Sequence, residues 1–225
     1  AVHNAGTAVR DQLIALAAGD ARSPLHDADP AKVVAADGRL ALAADPGTGE
    51  TYASLMDRHR MNDADAIGSW TPPLGSPYGL LTFGAQFARV PVDADLGLVR
   101  VCHMAGAFAP GRVLNPRTTR SQLAGGVIWG LSQALLEGNR MDPRTGRWAS
   151  TSLGDYLVPV NADVPGIDID LIEVDDPVTG PLGVKGVGEI GLVGAGAAIA
   201  NAVYHATGYR AREVPITAEN VLAHL

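Results

Sequence analysis

The feature that most constrains the fold of this chain is a glycine-rich run near its C-terminal end, GVKGVGEIGLVGAGAAIANA. Inside it, residues 186–191 read G-V-G-E-I-G, which is the G-x-G-x-x-G spacing of a dinucleotide-binding turn. Such a turn opens a βαβ unit, so further parallel strands must follow it. Residues 192–225 leave room for one helix and one short strand. A nucleotide-binding module with a doubly wound parallel sheet is therefore the weaker interpretation of these glycines.

The glycine run also contains one carboxylate, Glu189. A glutamate at the beginning of a predicted helix is stabilised in its ionised form by the helix dipole. Held by a rigid turn, such a carboxylate can serve as a general base. A glycine-rich loop that only lets the chain turn before a closely packed helix explains the same glycines. The residues alone leave these two interpretations of Glu189 equally open.

Composition narrows the class of protein. The 225 residues can bury a full core, as one large domain or two small ones. Apolar residues make up 47% and charged residues 18% of the chain, which are the proportions of a folded globular protein. The net charge of −7 argues against a sequence-independent grip on nucleic acid, which needs clustered Lys and Arg. The most apolar run, residues 191–202, is short and consists mainly of Gly and Ala. We expect neither nucleic acid nor a membrane among the partners.

The single cysteine, Cys102, excludes an internal disulfide framework. It equally excludes cysteine-ligated zinc or iron–sulfur clusters within this chain. Because the six histidines are also scattered, any metal must be held by other atoms or by a cofactor. Cys102 itself lies in an apolar stretch and is predicted to be a small buried residue. The chain begins with alanine, which suggests a processed or truncated piece of a longer protein.

Local patterns predict both helices and strands. Residues 1–19 have helical apolar spacing and a terminal glycine. The stretch DGRLALAADPGTGETY predicts two short strands around a Pro-Gly turn, and residues 55–77 are predicted to form a loop. Two β-rich runs between residues 80 and 107, joined by residues 94–97, predict an antiparallel hairpin.

The second half of the chain predicts two helices and one more strand. Thr119 and Gln122 have the spacing of a capping box, so the first helix is expected to begin there and to stop at Gly138. The second is expected over residues 192–207 and to end at Gly208, followed by an extended closing arm or short strand. One face of the first helix carries four apolar residues, Leu123, Val127, Leu131 and Leu135. Alternating apolar and acidic residues predict a half-solvated strand at Ile167, Asp168, Ile169, Asp170 and Leu171. Core or interface positions are expected for the three tryptophans, Trp70, Trp129 and Trp148.

Several ordered motifs resemble the molybdenum-binding large subunit of the xanthine dehydrogenase and aldehyde oxidase family. They are GRVLNPRTTRSQLAGGVIWGLSQALLE, PLGVKGVGEIG and the C-terminal NAVYHATGYRAREVPIT. The segment YLVPVNADVP adds a likeness to the bacterial periplasmic aldehyde oxidoreductase branch. The resemblance implies that residues 1–225 are the C-terminal portion of a molybdopterin-binding subunit with a mixed α/β fold. Residues 78–225 would carry the cofactor loops and the catalytic glutamate, whereas residues 1–77 are poorly defined by sequence.

The resemblance also implies roles for particular residues. Glu189 matches the family's catalytic base, and Gln122 matches a glutamine that hydrogen-bonds the cofactor. The stretch that lines the molybdopterin in the family corresponds here to Arg112, Val113, Leu114, Asn115, Pro116, Arg117 and Thr118. The backbone turn that wraps the cofactor before the base corresponds to Lys185, Gly186, Val187 and Gly188. No side chain of this chain is expected to bind the metal, because the pterin sulfurs hold the molybdenum.

From the resemblance we expect an enzyme that hydroxylates an aldehyde or an aromatic heterocycle, with water as the oxygen source. Its cofactor would be molybdopterin in the cytosine dinucleotide form. Iron–sulfur clusters and FAD would lie on partner subunits, and the N-terminal part of the large subunit would be a further partner. We expect a cytoplasmic protein, with the periplasm as the alternative compartment. A non-catalytic assembly fragment is the alternative function.

The chain departs from the family pattern in two respects. Family subunits are much longer, and their N-terminal part supplies other cofactor loops, so the isolated chain is expected to be inactive. Many relatives also carry an Asp-x-Gly before the Asn-Pro loop, whereas this chain has Ala109-Pro110-Gly111.

Overall fold

The structure, a computed structural model, describes residues 1–71, 75 and 77–225. It divides into two compact units, Ala1–Ser76 and Pro77–Leu225. The loop predicted over residues 55–77 includes residues 72–74 and 76, which lie outside the described residues.

The first unit packs a long helix with a small antiparallel sheet. Its elements are α1 (Val2–Gly19), a 3₁₀ turn (Pro30–Lys32), β1 (Val33–Ala36), β2 (Arg39–Leu42), β3 (Asp45–Thr51) and α2 (Tyr52–Arg58). The strands pair in the order β1-β2-β3. Helix α1 ends at Gly19 as predicted and begins one residue after the predicted start, and its buried residues meet Leu40 and Leu55 in the core.

Two local predictions in this unit are wrong. The Pro-Gly pair lies inside β3 and the connection is at residues 43–44, because Leu42 pairs with Asp45 across a bulge. The predicted loop begins too early, since α2 occupies residues 52–58. A side-chain cap supports this short helix: the Thr51 hydroxyl accepts a hydrogen bond from the Ser54 N–H at 3.1 Å.

A buried charge cluster ties the elements of the first unit together. The Arg58 guanidinium contacts Asp20 and lies 2.8 Å from Glu50 Oε1. The Arg22 backbone N–H and then Arg58 hold the pKa of Asp20 well below its usual range. Arg58 likewise lowers the pKa of Glu50. Both carboxylates are therefore ionised and paired inside the unit.

The second unit is built on a mixed three-stranded sheet. Its strands are β4 (Phe83–Arg89), β5 (Val92–Asp93), β6 (Leu98–Val99), β7 (His103–Ala109), β8 (Met141–Asp142), β9 (Arg147–Trp148) and β10 (Gly166–Leu171). The predicted hairpin is present, with β4 antiparallel to β7 and β5 antiparallel to β6. Strand β10 joins β7 in parallel, giving the order β10-β7-β4. Its apolar residues are half-buried and its aspartates exposed, as the alternation predicted.

Four helices complete this unit, namely α3 (Pro116–Leu135), α4 (Ile190–Val193), α5 (Ala195–Thr207) and α6 (Ala218–Leu222). Helix α3 begins earlier than predicted. Asn115 is its N-cap and accepts from the Thr118 N–H at 3.2 Å, so the Thr119/Gln122 capping box is wrong. The helix also ends at Leu135, before Gly138. Residues 209–217 form the extended arm that was one of the two alternatives predicted after α5, and α6 follows this arm.

The predicted helix over residues 192–207 begins at Ile190 and is interrupted at Gly194. By length and composition, residues 190–207 could span a membrane. However, Ala195, Ile199 and Val203 are fully buried, and the first two pack with Met104 and Leu131. One face of α5 therefore packs in the core of this unit.

Among the strand pairs of the described residues, only β10 and β7 run parallel to each other. This is a mixed α/β arrangement, which confirms the predicted fold class. Residues 186–189 form a loop that enters α4 and no strand follows α5, in contrast to a doubly wound sheet.

Candidate functional site

Glu189 stands at the point where the glycine-rich loop becomes helix α4. It is the N-cap residue of α4, and its carbonyl oxygen accepts from the Leu192 N–H at 2.9 Å. Its exposed side chain makes no capping hydrogen bond. The backbone carbonyl group of Glu189 is therefore used in the first turn of α4, while its side-chain carboxylate remains available for a ligand or a proton.

Glu189 opens onto a groove of about 380 Å³ along one side of α3. One wall is a stripe of α3 residues and the other is the beginning of α4. The lining residues are Thr118, Ser121, Gln122, Gly125, Gly126, Trp129, Gly188, Glu189 and Leu192. The groove brings together residues from two segments that are far apart in sequence.

A direct hydrogen bond joins these two walls. Gln122 Nε2 donates to the carbonyl oxygen of Gly188 at 2.8 Å. This bond fixes the residue immediately before Glu189 to the second turn of α3. The other atom of this side-chain amide, Gln122 Oε1, has no hydrogen-bond partner among the described residues, so it can still accept a hydrogen bond from a ligand.

Glycines on both helices permit this close approach. A methyl group on Gly126 would lie 2.8 Å from the Leu192 nitrogen, and one on Gly191 would lie 2.5 Å from the Leu123 carbonyl oxygen. Both distances are too short for a real side-chain contact. The helices can therefore bring Glu189 next to Gln122 only because these positions lack a Cβ.

The Asn-Pro loop, residues 112–118, is joined to the glycine-rich loop by backbone hydrogen bonds. The Arg112 N–H donates to Gly183 O at 2.9 Å, and the Lys185 N–H donates to Pro110 O at 3.0 Å. The two segments that the sequence resemblance singled out are therefore neighbours. Asn115 has a structural task within this loop, since it caps α3.

The predicted site residues do not all reach the groove. Thr118, Gln122, Gly188 and Glu189 line it. The others lie outside its lining, namely Arg112, Val113, Leu114, Asn115, Pro116, Arg117, Lys185, Gly186 and Val187. The Lys185 ammonium is already paired with Asp176 at 2.8 Å and lowers the pKa of that carboxyl. Only the backbone of Lys185 is left for a cofactor.

Two further residues that hold the site were missed by sequence reasoning, and both come from the region of β4. Thr82 Oγ1 donates to Gly186 O at 2.7 Å. Gln86 Nε2 donates to Ile190 O at 3.2 Å and to Gly191 O at 3.1 Å. Gln86 shares one face of β4 with Gly84 and Ala88, and a polar residue among small ones on that face was the signal that could have identified it.

The chemistry of these residues fits a pterin cofactor. Space is open beside the backbone of Gly186 and of Gly188, so a flat ligand can approach the chain there. The exposed guanidinium groups of Arg112 and Arg117 have no ion-pair partner in the described part of the chain and suit a phosphate. Over the same described residues, no three His, Cys, Asp or Glu side chains cluster to hold a metal ion.

A sequence profile of the molybdopterin cofactor-binding domain matches residues 1–165. The aldehyde oxidoreductase molybdenum-binding subunit of Escherichia coli O157:H7 is 38% identical over 204 residues, which are 88% of this chain and 26% of that protein. The subunit of the same name in Escherichia coli K12 is 43% identical over 152 residues, 68% of this chain and 21% of that protein.

Solved structures agree with this relationship. The crystal structure of quinoline 2-oxidoreductase from Pseudomonas putida 86 has a TM-score of 0.83 at 28% identity, covering 97% of this chain and 28% of that chain. This chain thus spans about a quarter of the length of the relatives it matches. It belongs to the molybdopterin cofactor-binding domain family, among the molybdenum-binding subunits of the xanthine dehydrogenase and aldehyde oxidoreductase type.

Proposed function

We propose that this chain is the C-terminal portion of a molybdenum hydroxylase large subunit that oxidises an aldehyde or an aromatic heterocycle, with water as the oxygen source. The observation that carries the proposal is the Glu189 carboxylate, which faces a groove beside Gln122 without a hydrogen-bond partner of its own. Family membership and relatives that are molybdenum-binding subunits give this geometry its chemical context.

Glu189 acts in this proposal as the general base. When bound, the molybdenum centre supplies the two-electron oxidation of the substrate. The carboxylate accepts the proton that is lost when the water-derived oxygen bonds to the substrate carbon. The surrounding hydrogen bonds hold the backbone on both sides of Glu189, so the base is positioned before substrate arrives.

The cofactor contacts follow the two joined loops. The backbone of residues 185–188 and the Asn-Pro loop would wrap the pterin. The side-chain oxygen of Gln122, Oε1, would accept a hydrogen bond from it. Arg112 and Arg117 would pair with phosphate, and two such cations favour the cytosine dinucleotide form, which carries a pyrophosphate.

Partners follow from what the chain lacks and what it exposes. One cysteine cannot ligate an iron–sulfur cluster, so we place the clusters on a partner subunit. On the family resemblance, we place FAD on a further partner subunit. Phe83 and Phe87 are 63% and 67% exposed on the sheet face opposite α5. An apolar sheet face of this kind suits contact with the remaining N-terminal part of the large subunit. We place the complex in the cytoplasm, with export to the periplasm as the alternative.

The substitution Glu189→Gln in the complete enzyme tests the proposal. It keeps the size of the side chain but removes the proton acceptor, so turnover per bound molybdenum should fall about 10²–10⁴-fold. Metal content and fold should be unchanged, because the loop is held through backbone atoms. The exposed Glu173 on the connection after β10 provides the matched control, Glu173→Gln.

The opposite pattern would assign Glu189 a structural task. In that case the variant would lose stability or molybdenum, while the rate per remaining metal stayed near that of the wild type. Near-normal turnover per molybdenum in Glu189→Gln would remove this residue from the mechanism.

A further inference from the structure

Gln86 reaches from β4 to the first turn of α4, directly after Glu189. Its amide nitrogen donates to two consecutive carbonyl oxygens, those of Ile190 and Gly191. The side chain lies on the inner side of the strand and is half-buried. The contact joins residues that are more than a hundred positions apart in the chain.

These carbonyl oxygens need a donor because the helix is interrupted. In a continuous helix the Gly194 N–H would donate to Ile190 O. Here α4 ends at Val193 and α5 begins at Ala195, with Gly194 between them. The Gln86 amide therefore supplies a side-chain donor to carbonyl oxygens of α4 next to this interruption, where helix-end carbonyl groups need partners.

The helix interruption and the Gln86 side chain occupy adjoining space. A methyl group on Gly194 would lie 3.0 Å from Gln86 Nε2 and 3.3 Å from its Cδ. Because Gly194 has no side chain, the amide can lie against the helix.

We propose that Gln86 is a positioning residue for Glu189. It anchors the residues immediately after Glu189, and Gln122 anchors Gly188 immediately before it. The Glu189 side chain has no capping bond of its own, so its direction is set by the backbone that these two glutamines hold. This inference rests on the proposed function of Glu189 as the base.

The substitutions Gln86→Met and Gln86→Glu test it. Methionine keeps the length of the side chain but cannot donate a hydrogen bond. An ionised carboxylate at this position would face two carbonyl oxygens with no proton to offer, whereas its protonated form could donate one bond again. Gln133→Met, on the exposed side of α3, is the matched control.

The first measurement is hydrogen exchange on the full chain without cofactor. Peptides covering residues 186–195 should exchange faster in Gln86→Met than in the wild type or in Gln133→Met. Peptides from the rest of α3 should be unaffected. Unchanged exchange at residues 186–195 would overturn the inference, whatever the outcome for the enzyme.

The second measurement is the rate per molybdenum in the complete enzyme. We expect Gln86→Met to lower kcat about 10-fold with KM near the wild-type value, because a misplaced base slows chemistry more than binding. The rate of Gln86→Glu relative to the wild type should rise as the pH is lowered and the introduced carboxyl gains its proton.

A merely structural role for Gln86 predicts a different result. Metal content or stability would then fall, while kcat per molybdenum and its pH profile matched those of the wild type. If Glu189→Gln abolishes turnover and Gln86→Met leaves kcat unchanged, only this inference fails. If Glu189→Gln itself keeps normal turnover, the proposed function fails with it.

Discussion

Lys185 and Glu189 lie four residues apart, yet only one of them has a neutralised charge. The Lys185 ammonium is 12% exposed and paired with Asp176, so it stabilises the loop that precedes the glycines. Glu189 has neither a salt bridge nor a capping bond in the described part of the chain. The Glu189 carboxylate opens onto the groove, so it is free to contact a ligand there.

A second argument at the level of single residues concerns Arg58, which should govern the acid stability of the Ala1–Ser76 unit. The pKa values of Asp20 and Glu50 are lowered in the folded chain, mainly through the Arg22 N–H and Arg58 respectively. A lowered carboxyl pKa contributes stability that is present above the unfolded value, about 4, and is lost as the pH falls through the folded value. The unit should therefore lose stability below about pH 4.

Arg58→Met should lower the midpoint of thermal unfolding at pH 7 and make the acid dependence of this unit shallower, because the carboxylates lose their shared partner. Circular dichroism melts between acidic and neutral pH, with hydrogen exchange to assign the transition, would measure both effects. Arg10→Met removes an exposed arginine of α1 and is the control. An unchanged acid profile in Arg58→Met would contradict this account.

Among the elements, the contact between α3 and α4 is decisive for the site. Helix α3 presents Gly126 to the backbone of residues 191–192, and α4 presents Gly191 to Leu123. Each helix thus supplies a side-chain-free surface at the place where the other comes closest. The groove width and the Gln122–Gly188 hydrogen bond depend on this spacing.

Gly191→Ala should separate the two helices. The added methyl group would lie 2.5 Å from a backbone oxygen, which cannot rotate away as a side chain could. We expect a loss of about 1–3 kcal/mol in the free energy of unfolding, typical of overpacking in a core. Denaturant unfolding of the full chain would measure it.

Gly196→Ala is the control within the same helical region, because the nearest atom would lie at an ordinary 3.9 Å. Alanine at this position should be neutral or slightly stabilising through helix propensity. Equal effects of the two substitutions would show that packing against α3 does not account for the glycine at position 191.

For the whole molecule, the main fact is that 225 residues correspond to about a quarter of the matched relatives. The groove at Glu189 has two walls, one from α3 and one from the glycine-rich loop. The exposed Phe83 and Phe87 leave an apolar sheet face open. A pterin needs enclosure on more sides than these residues provide.

The isolated chain should therefore bind no stoichiometric molybdenum and oxidise no aldehyde. Elemental analysis of the purified chain, together with an aldehyde oxidation assay, would check both parts. The full-length parent protein, treated identically, is the positive control. Tight stoichiometric metal with turnover in the isolated chain would contradict the expectation.

Sequence patterns determined those features that depend on neighbouring residues. The bounds of α1, the β4–β7 hairpin, the alternation of β10 and the stop of α5 at Gly208 all follow from local periodicity or from a terminal glycine. The two loops of the site were identified by resemblance to a family, since their residues become neighbours only in the folded chain.

Tertiary structure decided the features that depend on packing. Cys102 is exposed and accepts a hydrogen bond from Arg89 at 3.2 Å, contrary to the prediction of a buried residue. The three tryptophans are all about half-exposed, which excludes the core as their place in this chain.

Gln86 shows most clearly why local sequence was insufficient at the site. Its partners are backbone oxygens more than a hundred residues away, and no pattern around β4 indicates that a helix interrupted at Gly194 will need a donor there. The charge of Glu189 and the flexibility of its glycines are properties of the sequence. Its direction is a property of the fold, because it is set by hydrogen bonds from distant strands and helices.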